Sequence, residues 1–201
     1  MMTLIILAVI ILILGLSFYL RKKESKKQIG CKESLNQALQ ALSDFEITTS
    51  YINDSFFLAV DEKNKKFSFK KIDSEVMIFD FKDALFCEVL ENGETTFRKV
   101  NALGRALMGG ILVGGVGAIV GGSSANEKEV KTISTLKLKI GLKSISNPSY
   151  EFCFFDSNSH PHYVQKGFKL NSHVLVEPMA DIQKWKDTFT AIVSIGETSD
   201  Y

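Results

Sequence analysis

Seventeen consecutive uncharged residues, Ala106 to Gly122, lie in the middle of a chain whose surrounding patterns are those of β-strands. Within this run a small side chain recurs at every fourth position: Ala106, Gly110, Gly114, Ala118 and Gly122. On a helix these five would share one face, and small-xxx-small spacing lets helix backbones approach closely. A single bilayer crossing by the run would put the strand patterns at Thr95 to Val100 and Ile133 to Leu142 on opposite sides, where they could not share a sheet. Two arrangements are compatible with one domain. One is a hairpin bent near Gly114 and Gly115, whose arms of about eight to ten residues reach roughly 12 to 15 Å, about half a bilayer. The other is an uninterrupted helix lying against protein. Glycine in a helix costs up to about 1 kcal/mol relative to alanine, so this many glycines need a packing reason. Ile111, Leu112, Val113, Val116, Ile119 and Val120 distinguish the run from a flexible linker, which is polar.

A glycine-rich stretch also invites a phosphate, but the spacing fails. Gly117-x-x-x-x-Gly122 is followed by Ser123 and Ser124 without the lysine of a P-loop, and Gly115-x-Gly117-x-x-x-Gly121 misses the dinucleotide spacing.

Leu4 to Leu20 is a second uncharged run, rich in Ile and Leu. With its flanks it approaches the ~30 Å hydrocarbon thickness, so a transmembrane helix is expected over 3–20. Met1, Met2 and Thr3 supply no basic n-region, and Ser17 to Leu20 is a poor cleavage context, so the anchor is expected to stay attached. Arg21, Lys22, Lys23, Lys26 and Lys27 follow, against the single acid Glu24. The positive-inside rule then predicts a single-pass cell-membrane protein, N-terminus outside and C-terminal domain cytoplasmic. These cations also suit contact with anionic lipid, although topology alone explains them.

The remaining length holds one domain with a real core but hardly two. Lys and Arg number 24 against 23 Asp and Glu, a net charge of +1, which lacks the electropositive field of a nucleic-acid binder. Cys31, Cys87 and Cys153 are odd in number and widely spaced, so neither a disulfide framework nor a cysteine-rich zinc site is indicated. Cys87 and Cys153 sit in apolar strand patterns and read as small core residues.

After a basic stalk, Leu35, Ala38, Leu39 and Leu42 predict a short amphipathic helix, completing a segment over 21–48. Phe56 to Val60 and Phe67 to Lys70 predict a hairpin around the polar turn Asp61 to Lys66. Val76 to Phe79 and Ala84 to Leu90 continue the strand pattern with a break at Phe81 to Asp83. Asn92-Gly93 signals a tight reversal into Thr95 to Val100. Ile133 to Leu142 and Tyr150 to Phe155 predict another antiparallel pair, and Ser157 to Ser172 reads as a long loop. Pro178 can open a final helix, with Ile182, Trp185, Phe189, Ile192 and Val193 on one face. The fold class expected is α+β, mainly antiparallel: a bent sheet over 49–195 capped by a C-terminal helix, with a helical insertion at 102–125 and a tail at 196–201.

These hairpin-connected strands, the sequence from Arg105 to Gly122 between them and the late tryptophan-bearing helix resemble bacterial pleckstrin-homology-like domains with a glycine-zipper insertion. The resemblance covers roughly Ser50 to Ser194. It implies a non-enzymatic scaffold for membrane or protein contacts, and brings no lipid-binding motif whose residues can be carried over.

Other candidate sites are weaker. His160 and His162, with His173 beyond, lack a third ligand at zinc spacing, although Asp156 is near in sequence. Lys63, Lys65, Lys66, Lys70 and Lys71 surround one hairpin, where they could face anionic lipid; lysines protecting a strand edge are the plainer reading. No catalytic residue, metal site or cofactor is expected. The expected partners are the lipid bilayer and a second copy or another membrane protein, with no nucleic acid. The alternatives from other classes are an oligomeric membrane-perturbing or channel-like protein, and a small hydrolase or transferase using the Ser157 to Ser172 loop.

Overall fold

The computed structural model describes residues 30–107, 131–159 and 167–198. They fall into two compact units that divide between Phe79 and Asp80. The predicted transmembrane helix lies outside the described residues. Among those described, no helix is long and apolar enough to cross a membrane.

The first unit opens with a helix, α1, over 30–40. Its spacing of Leu35 and Leu39 buries one stripe against Phe57 and Ala59, with Ala38, Leu42, Phe45, Ile52 and Ile72 around them. The sheet beneath is antiparallel, in the order β1 (Thr49–Ile52), β2 (Phe56–Asp61), β3 (Lys66–Lys71) and β4 (Met77–Asp80). All of β2 is buried, which is why its apolar run shows no alternation. The β2–β3 turn is held by Asp61. Its buried carboxylate accepts hydrogen bonds from the Asn64 amide (2.9 Å), the Asn64 side chain (2.7 Å) and the Glu46 amide (2.8 Å). The lysine-protected edge expected here is corrected by the pairing. β2 and β3 are inner strands, and the edges are β1 and β4.

The second unit begins with a 3-10 turn at Phe81–Asp83. A four-stranded antiparallel sheet follows, ordered β6 (Glu94–Val100), β5 (Ala84–Glu91), β8 (Thr135–Leu142) and β9 (Ser149–Asp156). Asn92 and Gly93, at φ of 54° and 86°, make the tight reversal between β5 and β6. Two positive φ values match the right-handed twist of the flanking strands, and Asn-Gly tolerates them best. A short ladder joins β7 (Thr132–Ile133) to β10 (Phe168–Lys169), and a 3-10 turn occupies Ser157–Ser159.

The short helix α2 (Ala102–Leu107) follows β6, and the long helix α3 (His173–Thr198) closes the unit. α3 packs on β5, β6, β8 and β9. It buries Leu175, Ile182, Trp185, Phe189, Ile192, Val193 and Gly196, the last so close to the Phe81 carbonyl that a Cβ there would clash with it. Pro178 does not open this helix, as its missing amide suggests; it lies inside a helix that begins at His173. Burial of Leu175 accounts for the extra turn, because the apolar stripe starts before the proline.

The strands alternate as their residues demand. Cys87 and Ile140 pair on the apolar face, and Val89, Leu138 and Phe152 form the next row. The opposite face carries Arg98, Glu88, Lys139 and Glu151 in one cross-strand row of alternating sign. Glu88 is only 2% exposed, and its carboxylate pairs with the Arg98 guanidinium.

Candidate membrane-contact and packing site

Strands β6 and β8 both run antiparallel to β5 between them, so they are parallel to each other. A connection between parallel strands has to travel back along the whole sheet. The chain leaves β6 where Val100 lies opposite Phe86, and re-enters β8 where Leu136 lies opposite Glu91. The two roots of the glycine-rich segment therefore stand at opposite ends of β5, roughly 20 Å apart at about 3.3 Å per strand residue.

Each root is fastened by an asparagine. At the departing end, buried Asn101 caps α2: its Oδ1 accepts from the Gly104 amide (2.6 Å) while its Nδ2 donates to the Ala84 carbonyl (3.0 Å). The Asn101 amide donates to the Leu85 carbonyl (2.9 Å), and the Ala102 amide donates to Glu197 Oε1 from the far end of α3 (2.8 Å). Gly104 lies so close to β5 that a Cβ would stand 2.9 Å from the Leu85 carbonyl oxygen. At the returning end, Asn92 Oδ1 accepts from the Ser134 amide (2.7 Å) and hydroxyl (2.9 Å), and its Nδ2 donates to the Thr132 carbonyl (2.8 Å). Lys131 pairs with Glu91 at 2.5 Å beside it. Sequence reading found Asn92 as a turn residue but missed its second task, and missed Asn101 and Glu197 altogether. The one local signal is an asparagine three residues ahead of a glycine at a strand-to-helix junction.

Of the five small residues singled out, Ala106 lies in α2. Gly110, Gly114, Ala118 and Gly122 lie outside the described residues, as do Arg21, Lys22, Lys23, Lys26 and Lys27. His160 and His162 lie outside them too, and His173 is the first residue of α3. Asp156 caps its own turn, accepting from the Asn158 amide (2.9 Å) and side chain (2.9 Å). Among the described residues, no group of three or more His, Cys, Asp and Glu side chains is placed to hold a metal ion. Of the hairpin lysines, Lys63 pairs with Glu46 at 2.8 Å and Lys70 donates to the Ser74 carbonyl. Burial and the Glu88 charge push the Cys87 thiol up to about 12, only partly countered by Lys186, so it is a core residue and not a nucleophile. Burial likewise raises the Cys153 thiol, with Asp156 adding to it.

Antiparallel sheets closed by a long C-terminal helix, with an uncharged run between β6 and β7, define an α+β class built mainly on antiparallel strands. The family described as "glycine zipper containing PH domain" matches residues 46–156, and the chain belongs to that family. The chain is also similar to an immunity protein of Bacillus phage SPbeta, at 24% identity over 199 residues covering 93% of this chain and 96% of that protein. An SPbeta prophage-derived uncharacterized membrane protein, YomJ, of Bacillus subtilis (strain 168) is 26% identical over 199 residues, covering 93% of this chain and 85% of its own length. No solved structure matches significantly. Neither the family description nor the two names denotes an enzyme.

Proposed function

We propose that this chain is a non-enzymatic, membrane-anchored interaction protein. Its PH-like domain holds a glycine-zipper element against the bilayer or against a neighbouring helix. In this reading Leu4 to Leu20 anchors the chain, and Arg21, Lys22, Lys23, Lys26 and Lys27 keep the domain on the cytoplasmic side. Ala106, Gly110, Gly114, Ala118 and Gly122 offer the close-packing stripe. The observation that carries it is the double rooting of the segment, by Asn101 at one end of the sheet and Asn92 at the other. Feet roughly 20 Å apart favour a helix lying along the domain or membrane over a hairpin with adjacent feet, since about 14 helical residues span that distance. The membrane protein among the relatives supports the location.

The test is flotation with liposomes of the fragment Cys31 to Tyr201, beside the same fragment with residues 108–125 replaced by a polar linker. Trp185 emission certifies that both are folded. Flotation lost with the replacement supports membrane contact by the insertion. In the full chain, Gly114→Leu with Ala118→Leu should alter oligomeric state or membrane association; if neither changes, the zipper reading is wrong.

The relative called an immunity protein favours a second reading, in which the membrane-held domain protects its host cell by binding an invading partner. Expressing the chain in a Bacillus subtilis strain without the prophage, then measuring plaque formation by SPbeta, tests it. Unchanged plating removes that reading and leaves the scaffold.

A further inference from the structure

Within the first unit, α1 is held differently from the strands beneath it. Over 30–40 only Leu35 and Leu39 are buried, and their contacts are with the small cluster around Phe57 and Ala59. Among the described residues, no α1 side chain makes a hydrogen bond or an ion pair. A cleft of about 370 Å³ is walled by Cys31 and Ser34 from its first turn and by Lys70 and Ile72 from the end of β3, so that turn is not packed down on the sheet. The chain after α1 is fastened much better. Asp44 turns it out of the helix at a φ of 55°. The Glu46 amide then donates to Asp61 (2.8 Å), the Glu46 carboxylate pairs with Lys63 (2.8 Å), and the Thr48 amide and hydroxyl both donate to the Val60 carbonyl (2.8 and 2.9 Å).

An unmatched polar group lies on the face that α1 covers. Ser68 stands opposite Ala59 in the β2–β3 register, so it shares the face on which Leu35 and Leu39 pack. It is 1% exposed, and among the described residues its hydroxyl has no hydrogen-bond partner. A buried hydroxyl without a partner opposes the state that buries it. The other face of the sheet has its own packing: Phe56, Leu58, Val60, Phe67 and Phe69 are buried there, and Phe79 stacks on Phe67 and Phe69 at 5.5 Å.

We propose that α1 is a clasp that opens as one body about residues 42–45 while the four-stranded sheet stays folded, uncovering Phe57, Ala59 and Ser68. Two leucines hold it shut, hydration of the Ser68 hydroxyl favours opening, and the ties at Glu46 and Thr48 set where the motion stops. Because α1 joins the unit to everything before Gly30, opening lengthens that attachment by up to about 16 Å, the length of such a helix. The clasp therefore sets how far the unit reaches from the preceding chain, and it does not rest on the membrane reading above.

The test is amide hydrogen exchange of the full chain in mild detergent, resolved by peptide. Residues 34–40 should exchange together, roughly a hundredfold faster than residues 57–60 of β2, because a local opening exposes them alone. Ser68→Ala should slow exchange over 34–40 about tenfold, since closure then buries no unmatched hydroxyl. Leu35→Ala with Leu39→Ala should remove protection from 34–40 and leave that of 57–60 in place. Equal protection of the two segments in the unaltered chain overturns the clasp, because both would then open only when the unit unfolds. Protection that rises gradually from residue 34 to residue 40 also overturns it, as fraying needs no hinge. Loss of protection at 57–60 in the double variant makes α1 part of the sheet's core and overturns it too. Unchanged exchange over 34–40 in Ser68→Ala, a substitution that removes one oxygen and adds no bulk, overturns it independently.

Discussion

Replacing Asn101 by alanine removes two hydrogen bonds from a buried position and uncouples α2 from the sheet. The capping oxygen that serves the Gly104 amide is worth about 1 kcal/mol, as for other N-cap residues. The Ala84 carbonyl, on a residue with no exposed surface, loses its Nδ2 donor, and a buried acceptor left unmatched costs a further ~1–3 kcal/mol. Asn101→Ala should therefore destabilise the second unit by about 3 kcal/mol, which for a unit of this size lowers its midpoint by roughly 10 to 20 °C. The readout is Trp185, the single tryptophan of the chain, which lies in α3 and reports this unit. Thermal unfolding of the full chain in mild detergent, followed by its emission, gives the shift. Asn101→Ser keeps a capping oxygen but is too short to reach Ala84, so it should recover about 1 kcal/mol of the loss. Amide exchange adds a local check, with Gly104 exchanging faster in Asn101→Ala than in the serine variant. A loss below ~0.5 kcal/mol for Asn101→Ala, within the range of ordinary surface substitutions, would refute the clamp.

Three further outcomes follow from the described contacts. Arg98→Met strands the buried Glu88 carboxylate and should cost ~3 kcal/mol in denaturant unfolding, whereas the double change Glu88→Met with Arg98→Met should be close to neutral; equal losses would contradict the pairing. Burial alone would raise the Asp61 carboxyl, but Asn64, the Glu46 amide and the Lys66 charge together pull it below its ordinary value of 3.8. A depressed folded-state value means stabilisation that is present above pH 3.8 and lost as the pH falls through the folded-state value, so acid unfolding of the first unit should weaken its pH dependence in Asp61→Asn. For Cys87 the sign is opposite: a thiol raised from 9.0 to about 12 stabilises the fold below pH 9 and loses that contribution as the pH rises towards 12. Iodoacetamide at pH 8 should accordingly modify partly exposed Cys31 before Cys87, and rapid labelling of Cys87 in the folded chain would contradict its core position.

Patterns that live within a few residues were legible before any coordinates. Leu35 and Leu39 mark α1 because helical spacing puts them on one stripe, and Asn92-Gly93 marks a reversal because few other pairs accept two positive φ values. The apolar stripe of α3 and the alternation through Leu136, Leu138 and Ile140 were equally plain. The glycine-rich run from Ala106 to Gly122 carried the resemblance to the family but not how the domain holds the run.

The tertiary structure decided whatever depends on residues far apart in the chain. Inner position turned β3 from an expected edge into a paired strand, because edge status belongs to the sheet and not to the lysines along it. Glu88 is buried because its neighbours in the sheet are Arg98 on one side and Lys139 on the other, which no window of one strand contains. Asn101 became a clamp because β5 places Ala84 beside it and α3 ends with Glu197 within reach of Ala102, 95 positions away. Local periodicity is set by backbone geometry and so is written in the sequence itself. Partners for buried polar groups are set by chain topology, and they exist only once the strands have paired.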